Sequence, residues 1–208
     1  MILDLSLYLV TDPSAKNGVV ETAVSAAKNS ASLIQLRDKD ASDQALITQA
    51  KTLKQALAPY NVPLIINDRL TVARAAGADG LHLGQDDGDL MAARQQLGGR
   101  AILGLSIEHQ DQLKPGLEDI LDYFGVGPIF ATTTKPCHAP PIGWAGLGQI
   151  VAQAQKPCVA IGGLKPGHAQ AVKQCGAQGM AVVSAICGSD DPGQATQQLR
   201  AEWEAAEP

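Results

Sequence analysis

The sequence predicts an α/β fold, specifically a (β/α)8 TIM barrel, on three observations. Eight short apolar runs rich in branched residues recur along 208 residues, a segment with helical spacing follows each, and the runs are apolar on both alternating faces. Strands covered by helices outside and packed inside a barrel need that two-sided character. The expected strands are Leu5 to Val10, Leu33 to Leu36, Pro63 to Ile66, Gly80 to Leu83, Ala101 to Leu105, Tyr123 to Val126, Cys158 to Ile161 and Met180 to Val183. The helix after the second run shows its buried stripe in Leu46, Ala50, Leu53 and Leu57, spaced so that all four share one face. The last helix repeats the stripe with Ala195, Leu199 and Trp203. Gly77-Ala78-Asp79-Gly80 and Gly176-Ala177-Gln178-Gly179 each separate a helical pattern from a strand, where glycine suits the left-handed turn that ends a helix.

Length and composition fit one such barrel spanning residues 1–208 as a single catalytic domain. At 45% hydrophobic the chain can bury one sizeable core. Its net charge is −5, its pI is near 5.3, and its 16 Lys and Arg residues are dispersed, so no basic stripe suggests nucleic acid or an anionic membrane. No run approaches the roughly 18 to 20 apolar residues that span a bilayer, and Met1-Ile2-Leu3-Asp4-Leu5 has no basic region ahead of an apolar run; a cytoplasmic location is expected. Cys137, Cys158, Cys175 and Cys187 lack the close spacing of a zinc site and read as reduced thiols, with Cys158 and Cys175 in the core. Small molecules are the partners this composition suits; a homo-oligomer is compatible with the chain but not written in it.

Unusual polar residues gather at the ends of the expected strands, the face that carries active sites in this fold. After the second run, Gln35, Arg37 and Lys39 alternate and point the same way if the chain stays extended. Asn67-Asp68-Arg69 follows the third, where Asp68 taken alone reads first as the cap of the next helix. The fourth run leads into His82-Leu83-Gly84-Gln85-Asp86-Asp87, supplying a second carboxylate; His82 itself reads as a packed core residue. Two carboxylates from neighbouring strands suit Mg²⁺, which is completed by water and ligand phosphate. Ser106 stands at the end of the fifth run, and the sixth leads into Thr132, Thr133, Thr134 and Lys135, hydroxyls and an ammonium suited to an anion. Gly163 and Ser184 end the seventh and eighth, where barrels of this class frequently bind phosphate. The stretch from Gly127 to Gly146 is longer than the other connections, a length that often marks a functional loop. Together these residues describe two anion sites on one mouth: one a magnesium-assisted diphosphate site whose positive charge stabilises a leaving group, the other a phosphate cradle.

The chain resembles the thiamine phosphate synthase (thiamine-phosphate pyrophosphorylase) family from Tyr8-Leu9-Val10-Thr11-Asp12 to Val182-Val183-Ser184-Ala185-Ile186. The motifs that carry the resemblance are Gln35-Leu36-Arg37-Asp38-Lys39, Ile66-Asn67-Asp68-Arg69, Asp79-Gly80-Leu81-His82-Leu83-Gly84-Gln85, Gly125-Val126-Gly127-Pro128-Ile129-Phe130 and Thr133-Thr134-Lys135. The resemblance implies that Gln35, Leu36, Arg37, Asp38, Lys39, Asn67, Ser106 and Lys135 hold a hydroxymethylpyrimidine diphosphate, with Arg37, Lys39, Ser106 and Lys135 catalytic. It implies Asp68 and Asp87 as Mg²⁺ ligands, with Asp86 the alternative to Asp87, and Thr132, Thr133, Thr134, Gly163, Val183 and Ser184 around a thiazole phosphate. The implied reaction is loss of pyrophosphate from the pyrimidine methylene through a carbocation-like species captured by the thiazole nitrogen. Ile107-Glu108-His109 departs from the family, which places a histidine nearer the serine, and His109 is assigned no role. Two other readings are a related barrel acting as a thiazole tautomerase and a non-catalytic sensor of a phosphorylated metabolite. Both need the cradle and leave the acidic pair unexplained.

Overall fold

In a computed structural model, which describes residues 3–132 and 139–207, eight parallel strands close into a barrel in sequence order. They are β1 (Leu7–Val10), β2 (Leu33–Leu36), β3 (Leu64–Asn67), β4 (Gly80–Leu83), β5 (Ile102–Ile107), β6 (Tyr123–Val126), β7 (Cys158–Ile161) and β8 (Gly179–Val182). The helices between and after them are α1 (Val19–Lys28), α2 (Asp43–Leu57), α3 (Leu70–Ala76), α4 (Leu90–Leu97), α5 (Leu117–Ile120), α6 (Gly143–Gln153), α7 (Ala169–Gln174), α8 (Ser184–Cys187) and α9 (Pro192–Ala205). All eight expected strands are present, β2, β4, β6 and β7 with the expected ends and the other four with ends shifted by one or two residues. Strand β1 begins at Leu7 because Asp4 accepts the Ser6 amide in a turn ahead of it, and β5 runs on through Ser106 to Ile107.

Two layers of apolar side chains follow from strand alternation. Tyr8, Val10, Leu33, Ile65, Tyr123, Val159 and Ala181 fill the barrel, while Leu7, Leu9, Ile34, Leu36, Leu64 and Ile66 face outward against the helices. On α2 the stripe Leu46, Ala50, Leu53 and Leu57 is buried as expected, and its start is capped by the Ser42 hydroxyl, which accepts from the Ala45 amide. On α9 the stripe is shifted. Thr196, Leu199 and Trp203 are buried and Ala195 is only half-buried, because the Thr196 hydroxyl donates to the Pro192 carbonyl and so can turn inward without a lost hydrogen bond. Gly77 (φ 62°) and Gly176 (φ 83°) take the left-handed conformation at the two equivalent joints.

The end of the barrel opposite the mouth is stitched by a recurring device. The residue just before each even-numbered strand turns its side chain onto an amide at the start of the preceding strand. Ser32 Oγ accepts from Leu7 N at 3.1 Å, Asp79 Oδ2 from Leu64 N at 2.9 Å, Asp122 Oδ2 from Leu103 N at 2.8 Å, and Gln178 Oε1 from Cys158 N at 2.7 Å. Two of the carboxylates are held in turn by cations, Asp79 by Lys54 at 2.9 Å and Asp122 by Arg94 at 2.7 Å. Amides that would otherwise be orphaned at strand ends are thereby satisfied away from the chemistry. Burial pushes the Cys158 thiol up to about 12 and the Cys187 thiol up to about 11, so both are inert thiols; Cys175 is half-buried rather than core, and Cys137 lies outside the described residues. Among the described residues no helix is long and apolar enough to cross a membrane.

Candidate active site

A pocket at the carboxyl ends of the strands collects side chains from most of the barrel. Alternation along β2 and its continuation brings Gln35, Arg37 and Lys39 to its wall. The same alternation sends the two intervening residues elsewhere. Leu36 is buried in the outer core, and Asp38 accepts the amides of Asp40 and Ala41 at 3.0 and 3.1 Å to shape the turn before α2. Their side chains do not line the pocket. Arg69 braces the β2 loop from outside, donating to the carbonyls of Lys39 at 2.8 Å and Ala41 at 2.5 Å and pairing with Asp43.

Asp68 follows β3 with φ 62°, an uncommon conformation for a residue with a side chain, and its amide donates to the His82 carbonyl at 2.8 Å. It is not a helix cap: α3 starts beyond it with Arg69 at the N-cap position and no side-chain cap bond. Instead the carboxylate faces the pocket, 3.3 Å from Lys39 Nζ and with its side chain 19% exposed. Burial first, and then the adjoining Asp87, raise the Asp68 carboxyl above its usual range, while Lys39 opposes the rise. Asp87 lines the pocket and accepts the Gly84 amide at 2.8 Å; Asp86 does not line it. Two hard oxygen donors crowded until one resists ionising, with a lysine alongside, form a set that suits a divalent cation shared with a ligand phosphate. Among the described residues no cluster of three or more metal-ligating side chains occurs, so such an ion would need ligand or water to complete its shell.

The floor of the pocket is polar. His82 is buried and yet reaches Ser106 Oγ through Nε2 at 2.9 Å, with Nδ1 at 2.8 Å from the Tyr123 hydroxyl. The Ser106 carbonyl accepts from Gln85 at 2.6 Å, and Asn67 stands on the same wall. Sequence reading expected Ser106 and Asn67 here but not Tyr8 or Glu108, which also line the pocket, and it left His82 in the core. The signal was available: counting by twos along β4, β5 and β6 puts His82, Ser106 and Gly125 on one interior face.

Across the mouth, Thr132, Gly163, Val183 and Ser184 line the other side. Gly163 is needed for close approach, since a Cβ there would lie 2.7 Å from Phe130 Cβ. Ser184 opens the short α8 between β8 and α9, the place where this fold commonly seats phosphate. Thr133, Thr134 and Lys135 lie outside the described residues. His109 stands away from the pocket, accepting the Asp111 amide to cap a turn of 3₁₀ helix.

A family model described as thiamine monophosphate synthase matches residues 7–186, which span β1 to α8. The chain belongs to that family. Within the thiamine monophosphate synthase family, a thiamine-phosphate synthase of Xanthobacter autotrophicus is 51% identical over 200 residues, covering 95% of each chain. One from Psychrobacter sp. is 49% identical over 203 residues, again with 95% of each covered. The solved structure of a thiamine phosphate pyrophosphorylase from Pyrococcus furiosus superposes with a TM-score of 0.87 at 34% identity, covering 97% of this chain and 96% of the other.

Proposed function

We propose that this chain is a Mg²⁺-dependent thiamine phosphate synthase. It joins 4-amino-2-methyl-5-hydroxymethylpyrimidine diphosphate to 4-methyl-5-(2-phosphoethyl)thiazole and releases pyrophosphate, or takes the carboxylated thiazole and releases CO₂ as well. The observation that carries this reading is that one mouth holds both a cation and carboxylate cluster (Arg37, Lys39, Asp68 and Asp87) and, facing it, Gly163 and Ser184. One end suits a diphosphate leaving group and the other a phosphorylated acceptor. A tautomerase or a sensor would leave the crowded carboxylates of Asp68 and Asp87 without a purpose.

In this reading residues 1–208 act as one catalytic domain. Gln35, Asn67 and Ser106 orient the pyrimidine, while Arg37 and Lys39, joined by Lys135, hold the diphosphate where negative charge grows as the methylene C–O bond breaks. Asp68 and Asp87 would hold Mg²⁺, which when bound neutralises diphosphate charge. The bonding pair leaves with pyrophosphate, and the thiazole nitrogen donates its lone pair to the carbocation-like methylene. Thr132, Thr133, Thr134, Gly163, Val183 and Ser184 fix the thiazole by its phosphate, so that its nitrogen arrives already aligned. No protein nucleophile takes part.

The two ends separate by mutation. Asp68→Ala is expected to depress turnover far more than thiazole phosphate binding, and Ser184→Ala to raise the KM for thiazole phosphate by roughly tenfold while largely sparing the pyrimidine diphosphate. Steady-state kinetics with calorimetric binding measures both. Equal losses on both substrates in both variants would contradict the two-ended site.

A further inference from the structure

At the floor of the pocket Gln35 and Ser106 are joined by a chain of hydrogen bonds through Tyr8, Tyr123 and His82, three residues that the reaction scheme does not use. Gln35 Nε2 donates to the Tyr8 hydroxyl at 2.7 Å, Tyr8 and Tyr123 hydroxyls are 2.9 Å apart, Tyr123 reaches His82 Nδ1 at 2.8 Å, and His82 Nε2 reaches Ser106 Oγ at 2.9 Å. Five residues on β2, β1, β6, β4 and β5 are thus linked across the barrel interior. We infer that this chain runs one way, holds His82 as the neutral imidazole with its proton on Nε2, and so commits the Ser106 hydroxyl to donate into the pocket.

The direction follows from counting protons. A phenol has one hydrogen to give, and a neutral imidazole has one donor and one acceptor nitrogen. Because Tyr8 receives the Gln35 amide hydrogen, its own hydrogen goes to Tyr123. Tyr123, having accepted, spends its hydrogen on His82 Nδ1. The imidazole proton is then on Nε2 and points at Ser106 Oγ, which is left with its own hydrogen for a ligand. Burial raises the pKa of both phenols well above the ordinary tyrosine value, with the two hydroxyls adjusting one another, so neither link is lost by ionisation. Reversal would require the Gln35 amide to present its oxygen to Tyr8, which would turn every link around and leave Ser106 only lone pairs to offer.

Space for the chain is cleared by the backbone. A Cβ on Gly104 would lie 2.2 Å from Tyr123 Cζ and 2.6 Å from His82 Nδ1, and one on Gly125 would lie 3.0 Å from His82 Cε1. Two interior strand positions that barrels ordinarily fill with branched apolar residues are emptied to admit polar rings. Buried polar groups are costly unless satisfied throughout, and among the described residues no buried side-chain nitrogen or oxygen lacks a partner. Tyr8, Tyr123 and His82 are therefore positioning residues. Resting on the reading that Ser106 contacts the pyrimidine diphosphate, the consequence is that the substrate must present an acceptor atom to Ser106, and an analogue with a donor there is rejected.

The test is the ring-nitrogen NMR spectrum of the full ¹⁵N-labelled chain without ligand, with His82 assigned by the signals lost in His82→Gln. The Nε2–H tautomer is expected; an Nδ1–H tautomer or a doubly protonated ring would overturn the inference. Should His82→Gln fail to fold, the His82 signals of the unmodified chain are assigned as those that persist in His109→Gln, His138→Gln and His168→Gln, so the test stays intact. In Tyr123→Phe, which removes the donor to Nδ1, His82 is expected to become a mixture of tautomers. The KM for pyrimidine diphosphate is expected to rise roughly 3- to 10-fold, with that for thiazole phosphate unchanged. An unaltered tautomer in that variant would also overturn the chain's role. A chain of the expected direction in a protein that does not bind pyrimidine diphosphate would support the inference and sink the proposed function instead.

Discussion

At the scale of single residues, Asp68 shows most clearly how local geometry serves the site. Its left-handed backbone aims a short carboxylate into the pocket instead of at the next helix, and burial with Asp87 alongside makes ionisation costly. Because the folded chain holds this proton more tightly than the unfolded one, the stabilisation is fully present below the ordinary value of 3.8 and is lost as pH rises past the raised folded value. At neutral pH without metal the ionised carboxylate therefore strains the fold. Asp68→Asn, neutral and tolerant of the left-handed conformation, is expected to melt a few degrees higher than the parent at pH 7 without Mg²⁺ and to lose that advantage near pH 4. Adding MgCl₂ is expected to raise the melting temperature of the parent and not of the variant. Thermal melts over that pH range check both effects, and a variant that still responds to Mg²⁺ would remove Asp68 from the metal set.

At the scale of elements, the barrel divides its polar residues between two ends with different tasks. The mouth carries the side chains that touch ligand. The other end carries Ser32, Asp79, Asp122 and Gln178, each fastening the start of an even-numbered strand to the strand before it. Asp122 accepts both the Leu103 amide and Arg94, so Asp122→Ala unmakes a charge-assisted bond and leaves Arg94 only its bonds to the Gly98, Ala101 and Ile120 carbonyls. A loss of about 1–3 kcal/mol in urea unfolding is expected, with kcat/KM unchanged because the carboxylate stands at the opposite end of the strands from the pocket. A fall in activity of the folded variant would show that the two ends are not independent.

At the scale of the whole molecule, the barrel was legible because its apolar runs repeat with the two-sided pattern that helix-covered strands require, and nothing in the chain competes with that pattern. Gln35, Arg37 and Lys39 were legible for the same reason, since strand alternation is a local rule. The same motif includes Leu36 and Asp38, and that alternation turns their side chains out of the pocket. The Tyr8, Tyr123 and His82 chain was hidden, because its members come from three strands and look like ordinary core residues until the barrel closes. Gly104 and Gly125, the spaces that admit those rings, carry no side chain to announce them. The two ends of the mouth matter only if they act on two substrates at once, and one measurement tests that most directly. The purified chain is given hydroxymethylpyrimidine diphosphate and thiazole phosphate, with Mg²⁺ or with EDTA, while pyrophosphate release is followed and thiamine phosphate is detected by mass. Product formed only with metal and both substrates is the expected result; thiazole phosphate binding without any product under Mg²⁺ would contradict the synthase and favour a tautomerase or a sensor.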